Sequence, residues 1–63
     1  MNTLQNKDME LVTLEELCYI LSIGKNRAYE LLKKKAIKSF KIGKVWKIPR
    51  AAINQFIIEQ AKL

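Results

Sequence analysis

The 63-residue sequence predicts a small α+β domain ordered helix, turn, helix, β-hairpin, helix. Three observations carry this. Apolar residues recur at spacings of three and four in three separate stretches, the first two parted by Ser22-Ile23-Gly24. An alternating apolar pattern brackets Gly43-Lys44 and is closed by Pro49. The length admits one domain, and 49% apolar residues are enough to form its core.

Residues 1–10 are polar, without sustained period or capping signal, and read as a flexible leader to a domain over 11–63. Thr13 and Glu16 have the spacing of a capping box, with Val12 and Leu17 as the accompanying staple. A first helix over 14–21 then buries Leu14, Leu17, Cys18 and Leu21. A second helix, roughly 25–35, buries Ala28, Leu31 and Leu32, while Asn26, Arg27, Glu30, Lys33 and Lys34 form the opposite arc. Its last turn, Lys33-Lys34-Lys35, lies at the negative end of the helix dipole.

The hairpin, about 39–48, has two candidate registers. A two-residue Gly43-Lys44 loop pairs Phe40 with Lys47 and mixes a charge into the apolar face. A three-residue loop sets Ile42 against Trp46 and Phe40 against Ile48, leaving Lys41 and Lys47 on the solvent side and Lys44 at the tip. The second register is the expectation. Pro49 is suited to starting a third helix, with Ile53, Phe56 and Ile57 at core spacing and Ile58 exposed.

Composition excludes several functions. With no His and one Cys, neither a zinc site nor an intramolecular disulfide is expected, and no cofactor is implied. A domain this small has no room for a deep substrate cavity beside its core, so catalysis is not expected. No apolar run is long enough to cross a bilayer, and the N-terminus lacks a secretory signal; a cytoplasmic protein is the expectation.

Charge is segregated. Residues 1–16 carry Lys7 against four carboxylates, net −3, whereas residues 17–58 carry ten cations against Glu30 alone, net +9. Such a run fits a polyanionic partner, most simply nucleic acid. Leu17, Leu21, Ile23, Ala28 and Leu31, with Cys18 as the small residue at the crossing, also occupy the apolar positions of a helix-turn-helix unit, although Ser22 stands where the tight turn usually has Gly.

Leu14-Glu15-Glu16, Leu21-Ser22-Ile23, Ala28-Tyr29 and Phe40-Lys41-Ile42-Gly43 through Trp46-Lys47-Ile48-Pro49-Arg50 together resemble the excisionase-type helix-turn-helix family. The resemblance runs from Val12 to Ile57, and its most specific part is Ile42-Gly43-x-x-Trp46-x-Ile48-Pro49-Arg50. Such proteins are similar in fold to the winged helix-turn-helix domain of the MerR type. The resemblance implies a recognition helix in the major groove of double-stranded DNA and a hairpin wing on the adjacent backbone or minor groove. It further implies DNA recombination beside an integrase, directing excision of a mobile genetic element, or else transcription regulation by a small regulator. Ile23-Gly24-Lys25-Asn26 additionally resembles excisionases of conjugative transposons. Two positions depart from the family: Lys35 stands where Gly commonly ends the recognition helix, and Ala51-Ala52 stand where acidic residues are frequent. The first departure leaves room for a second helix one or two residues longer.

The candidate recognition residues are Lys25, Asn26, Arg27, Tyr29, Glu30, Lys33 and Lys34. Arg27 can pair bidentately with guanine or simply with Glu30. Asn26 can read adenine or cap the helix, Lys33 and Lys34 suit phosphate, and Tyr29 sits at the arc's edge. Glu30 is expected to hold Arg27 or Lys34 in place rather than accept from cytosine. Lys41, Lys44 and Lys47 are the wing cations, and Lys38 and Arg50 are candidate backbone contacts. Trp46 could stack on a single strand, but is expected in the core with Phe40, Ile42 and Ile48. The leading reading is a non-enzymatic duplex-DNA binder. A short site read by one helix also suggests self-association on DNA. RNA binding and a protein-interaction adaptor with an acidic partner are the alternatives.

Overall fold

A computed structural model describes residues 9–62, so residues 1–8 of the expected leader lie outside the described residues. The elements are β1 (Leu11–Val12), α1 (Leu14–Leu21), α2 (Lys25–Lys33), β2 (Phe40–Ile42), β3 (Val45–Pro49) and α3 (Arg50–Ala61). The three strands form an antiparallel sheet in the order β1-β3-β2, and Val12 and Ile48 of the sheet share one core with residues of the three helices. Among the described residues no helix is long and apolar enough to cross a membrane.

The capping box at α1 is complete. The Thr13 hydroxyl accepts from Glu16 N–H at 3.1 Å, and Glu16 Oε1 accepts from Thr13 N–H at 3.0 Å. Hydrogen bonds from the Thr13 backbone and hydroxyl hold the Glu16 carboxyl below its ordinary value. A depressed carboxylate pKa contributes stability that is present above the unfolded-state value and lost as pH falls through the folded one. Thr13→Ala is therefore expected to cost about 0.5–2 kcal/mol in chemical denaturation at neutral pH. Thermal melts from pH 7 to 3 should show less acid destabilisation in Glu16→Gln than in the parent. Equal acid sensitivity in both would remove Glu16 from the explanation.

Both helices of the helix-turn-helix end in a residue that is left-handed without being glycine. At Ser22 (φ 55), the N–H groups of Ser22 and Ile23 bond back to Tyr19 and Cys18 carbonyls at 3.2 and 3.0 Å. At Lys35 (φ 63), those of Lys35 and Ala36 bond to Leu32 and Leu31 carbonyls at 3.1 and 2.9 Å. This is the Schellman pattern, which satisfies carbonyls that a helix end would otherwise leave unpaired. Closing the last turn outweighs the left-handed penalty of about 1–2 kcal/mol for an L-residue. The second helix accordingly stops at Lys33 and does not extend through Lys35 as expected.

The hairpin takes the register the sequence reading set aside. Ile42 pairs with Val45, Lys41 with Trp46 and Phe40 with Lys47, across a two-residue Gly43-Lys44 loop. Of the two loop residues only Gly43 has a positive φ, at 63°, the first-position signature of a type II′ turn. Turn chemistry and sheet twist thus decide the register over the preference for an unmixed apolar face. Because strand faces alternate, Phe40 and Ile42 point outward with Val45, at 45%, 59% and 53% exposure, and leave the core where they were expected. Trp46 stays on the helix side, half-buried against the core, with Lys41 Nζ 4.8 Å from its ring centroid. Lys41 and Lys47 consequently lie on opposite faces.

The core is Val12, Leu14, Leu17, Ala28, Leu32, Ile37, Ile48 and Ile53. Cys18, Leu21, Ile23, Leu31, Trp46 and Phe56 pack partly buried around it. Ile57, expected in the core, is exposed: α3 meets the body through Ala52, Ile53 and Phe56, and so small a domain has nothing left to cover the next turn. Ile58 is exposed as well. The short strand β1 was not expected. Val12 pairs with Ile48 on the core side and Leu11 with Pro49 outside, so the ordered sheet begins where the leader was expected to end. Glu10, assigned to that leader, accepts the Arg50 N–H at 2.8 Å through its carbonyl and Arg50 Nε at 3.0 Å through its carboxylate.

Candidate nucleic-acid interface

Two helices joined by Ser22-Ile23-Gly24 set α2 across α1, with Ala28 and Leu32 fully buried beneath it. Burying that stripe turns the opposite arc outward. Asn26, Tyr29, Glu30, Lys33 and Lys34 line one open recess on this face, and Arg27 is exposed one position along the helix. Gly24 starts α2 with no side-chain cap, so Asn26 does not serve as the helix cap. The first-turn N–H groups of α2 carry no acidic residue among them, and the helix dipole adds positive potential at that end.

Glu30 organises the centre of the face. Its Oε1 accepts from Arg27 Nη1 at 3.1 Å, and its Oε2 lies 3.2 Å from Lys34 Nζ. The Arg27 hydrogen bond, then that of Lys34, holds the Glu30 carboxyl below its ordinary value, so both pairs persist at neutral pH. These pairs are exposed and stabilise the fold little; what they do is limit where two long side chains can point. Lys25 Nζ stands 4.0 Å from Glu15 Oε2, a loose exposed bridge between the helices.

The wing stands beside this face. Tyr29 of α2 shares a recess with Lys44, Val45 and Trp46 of the hairpin and with Thr13, Leu14 and Glu15 at the start of α1, so the helix arc and the wing meet at one seam. Lys44 occupies the tip, Lys41 lies over Trp46, and Lys47 is half-buried on the outer face. Lys38 is exposed between helix and wing, whereas the Arg50 side chain is engaged by Glu10. Tyr29 is 39% exposed at the seam. The sequence reading missed the Glu10–Arg50 contact, because forty residues separate the partners and no local pattern announces it.

A family model described as a helix-turn-helix domain matches residues 11–61. A curated protein of Streptomyces ambofaciens named an excisionase is 31% identical over 51 residues, covering 81% of this chain and 82% of that protein. No solved structure matches the chain significantly. Both matches span the helix-turn-helix and the wing together, and the chain belongs to the excisionase-type helix-turn-helix family.

Proposed function

We propose that this chain binds double-stranded DNA in a sequence-dependent way and acts, like the excisionase it is similar to, in directing recombination of a mobile element beside an integrase. The observation that carries the reading is the joined surface of α2 and wing. Asn26, Arg27, Lys33, Lys34, Lys38 and Lys44 are exposed on these elements and the segment between them, and the Glu30 carboxylate among them is already held by two cations. On this reading α2 enters the major groove and the wing lies on the adjacent backbone or minor groove. Arg27, tethered through one guanidinium nitrogen, keeps further donors for a guanine edge, while Lys33, Lys34 and Lys44 act as point charges toward phosphates. Binding and positioning are the whole of the activity; no catalytic step is assigned to the chain.

Gel shifts with duplex DNA, single strands and RNA test the class of partner, and tight binding to RNA or single strands alone would overturn the reading. Within duplex binding, Arg27→Ala should cost about 1–3 kcal/mol on the preferred site and much less on unrelated sequence. Lys44→Ala should weaken all duplexes alike. If Arg27→Ala reduces specific and nonspecific affinity equally, Arg27 is a phosphate contact and not a reader of bases.

A further inference from the structure

Lys35 occupies a position where glycine would be the easier residue. It is left-handed, at φ 63, and its backbone closes α2 through bonds that glycine would make equally well. Its side chain, however, stands at the junction of two recesses. The one toward α3 is lined by Lys35 and Lys38 together with Glu59, a carboxylate that disfavours an anion. The other, about 220 Å³, opens toward the wing and is lined by Leu32, Lys33, Lys35, Lys38, Ser39 and Trp46. Its lining includes three lysines and a serine and no acidic residue. Among the described residues none of the three lysines has an ion-pair partner, unlike Lys25, Arg27, Lys34 and Arg50.

Three lysines without ion-pair partners around one recess, with a hydroxyl residue beside them, suit a tetrahedral anion better than a planar base edge. Apolar Leu32 and the Trp46 ring form part of the wall and lower the local dielectric, which strengthens such a contact. The recess borders both the end of α2 and, through Trp46, the hairpin.

Resting on the duplex-binding reading above, we propose that Lys35, with Lys33, Lys38 and Ser39, forms an anchoring site for one DNA backbone phosphate at the junction of α2 and the wing. Lys35 is then a binding residue at the cost of backbone strain, so removing it should move stability and affinity in opposite directions.

Lys35→Gly in the full chain is the test, with Lys62→Gly as its control. Lys62 is also left-handed, at φ 60, ends α3 and does not line the recess, so both variants lose one charge and one strained lysine. Lys35→Gly is expected to melt roughly 4–8 °C higher than the parent. Its affinity for every duplex should fall about five- to tenfold near 0.1 M salt, and its salt slope by about 0.9. Lys62→Gly should keep parental affinity and slope, and Lys35→Arg should retain binding. Equal losses in Lys35→Gly and Lys62→Gly, or parental binding by Lys35→Gly, would overturn the site while leaving duplex binding intact. A parent chain that does not bind duplex DNA would overturn both readings.

Discussion

Affinity for duplex DNA is expected to fall between about 10²- and 10⁴-fold when salt rises from about 50 to 200 mM. Each phosphate neutralised by Lys or Arg releases condensed counterion, giving a log–log slope of about 0.9 per contact. The free cations on the helix–wing surface make about four to seven contacts a reasonable estimate. Fluorescence anisotropy of a labelled duplex across a salt series measures the slope directly. A slope near zero would remove the electrostatic basis of the proposed function, whatever the affinity. A slope that stays steep while discrimination between sequences disappears would retain phosphate binding but dismiss α2 as a reader.

The charge placement behind that expectation was legible in the sequence because charge is a property of composition and order. No tertiary information is needed to see ten cations against one carboxylate over residues 17–58. The first helix was equally legible: the Thr13–Glu16 spacing and the apolar stripe act within a few residues, and the structure has Leu14–Leu21 and the complete capping box. The end of the second helix was harder. Helical propensity and the dipole both favour continuing through the lysine run, but the chain turns left-handed at Lys35, and the N–H groups of Lys35 and Ala36 close the end on the Leu32 and Leu31 carbonyls.

Features that depend on partners distant in sequence were not legible. β1 is two residues long, too short for any period, and exists because Val12 and Leu11 find Ile48 and Pro49. Glu10 reads as part of a polar leader until Arg50 is brought to it. On the candidate interface, sequence spacing alone allowed Glu30 to hold either Arg27 or Lys34. The structure adds that the one carboxylate holds both at once, so three residues of the arc act together. The wing was placed correctly along the chain, with β3 facing as expected but β2 turned over. Alternation makes a one-residue change of register against β3 reverse every side chain of β2, and the loop residues decided it rather than the strand pattern.

That reversal sets the second large effect, since it exchanges which residues hold the fold together. Ile37, surrounded in sequence by lysines and carrying no periodic signal, is 1% exposed and packs in the core just after the turn at Lys35. Ile37→Ala is expected to cost about 2–4 kcal/mol, a large share of the about 3–5 kcal/mol that a domain of this size has in hand. Phe40→Ala, on the outer sheet face across from Lys47, removes more atoms but leaves no cavity. It should stay within about 1 kcal/mol of the parent, as surface changes away from packed features do. Urea denaturation of the two variants ranks them. The three-residue hairpin loop would demand the opposite order, because it turns Phe40 inward onto Ile48. A Phe40→Ala variant that unfolds beside an Ile37→Ala variant of parental stability would restore that register and, with it, a wing whose Lys41 and Lys47 share one solvent face.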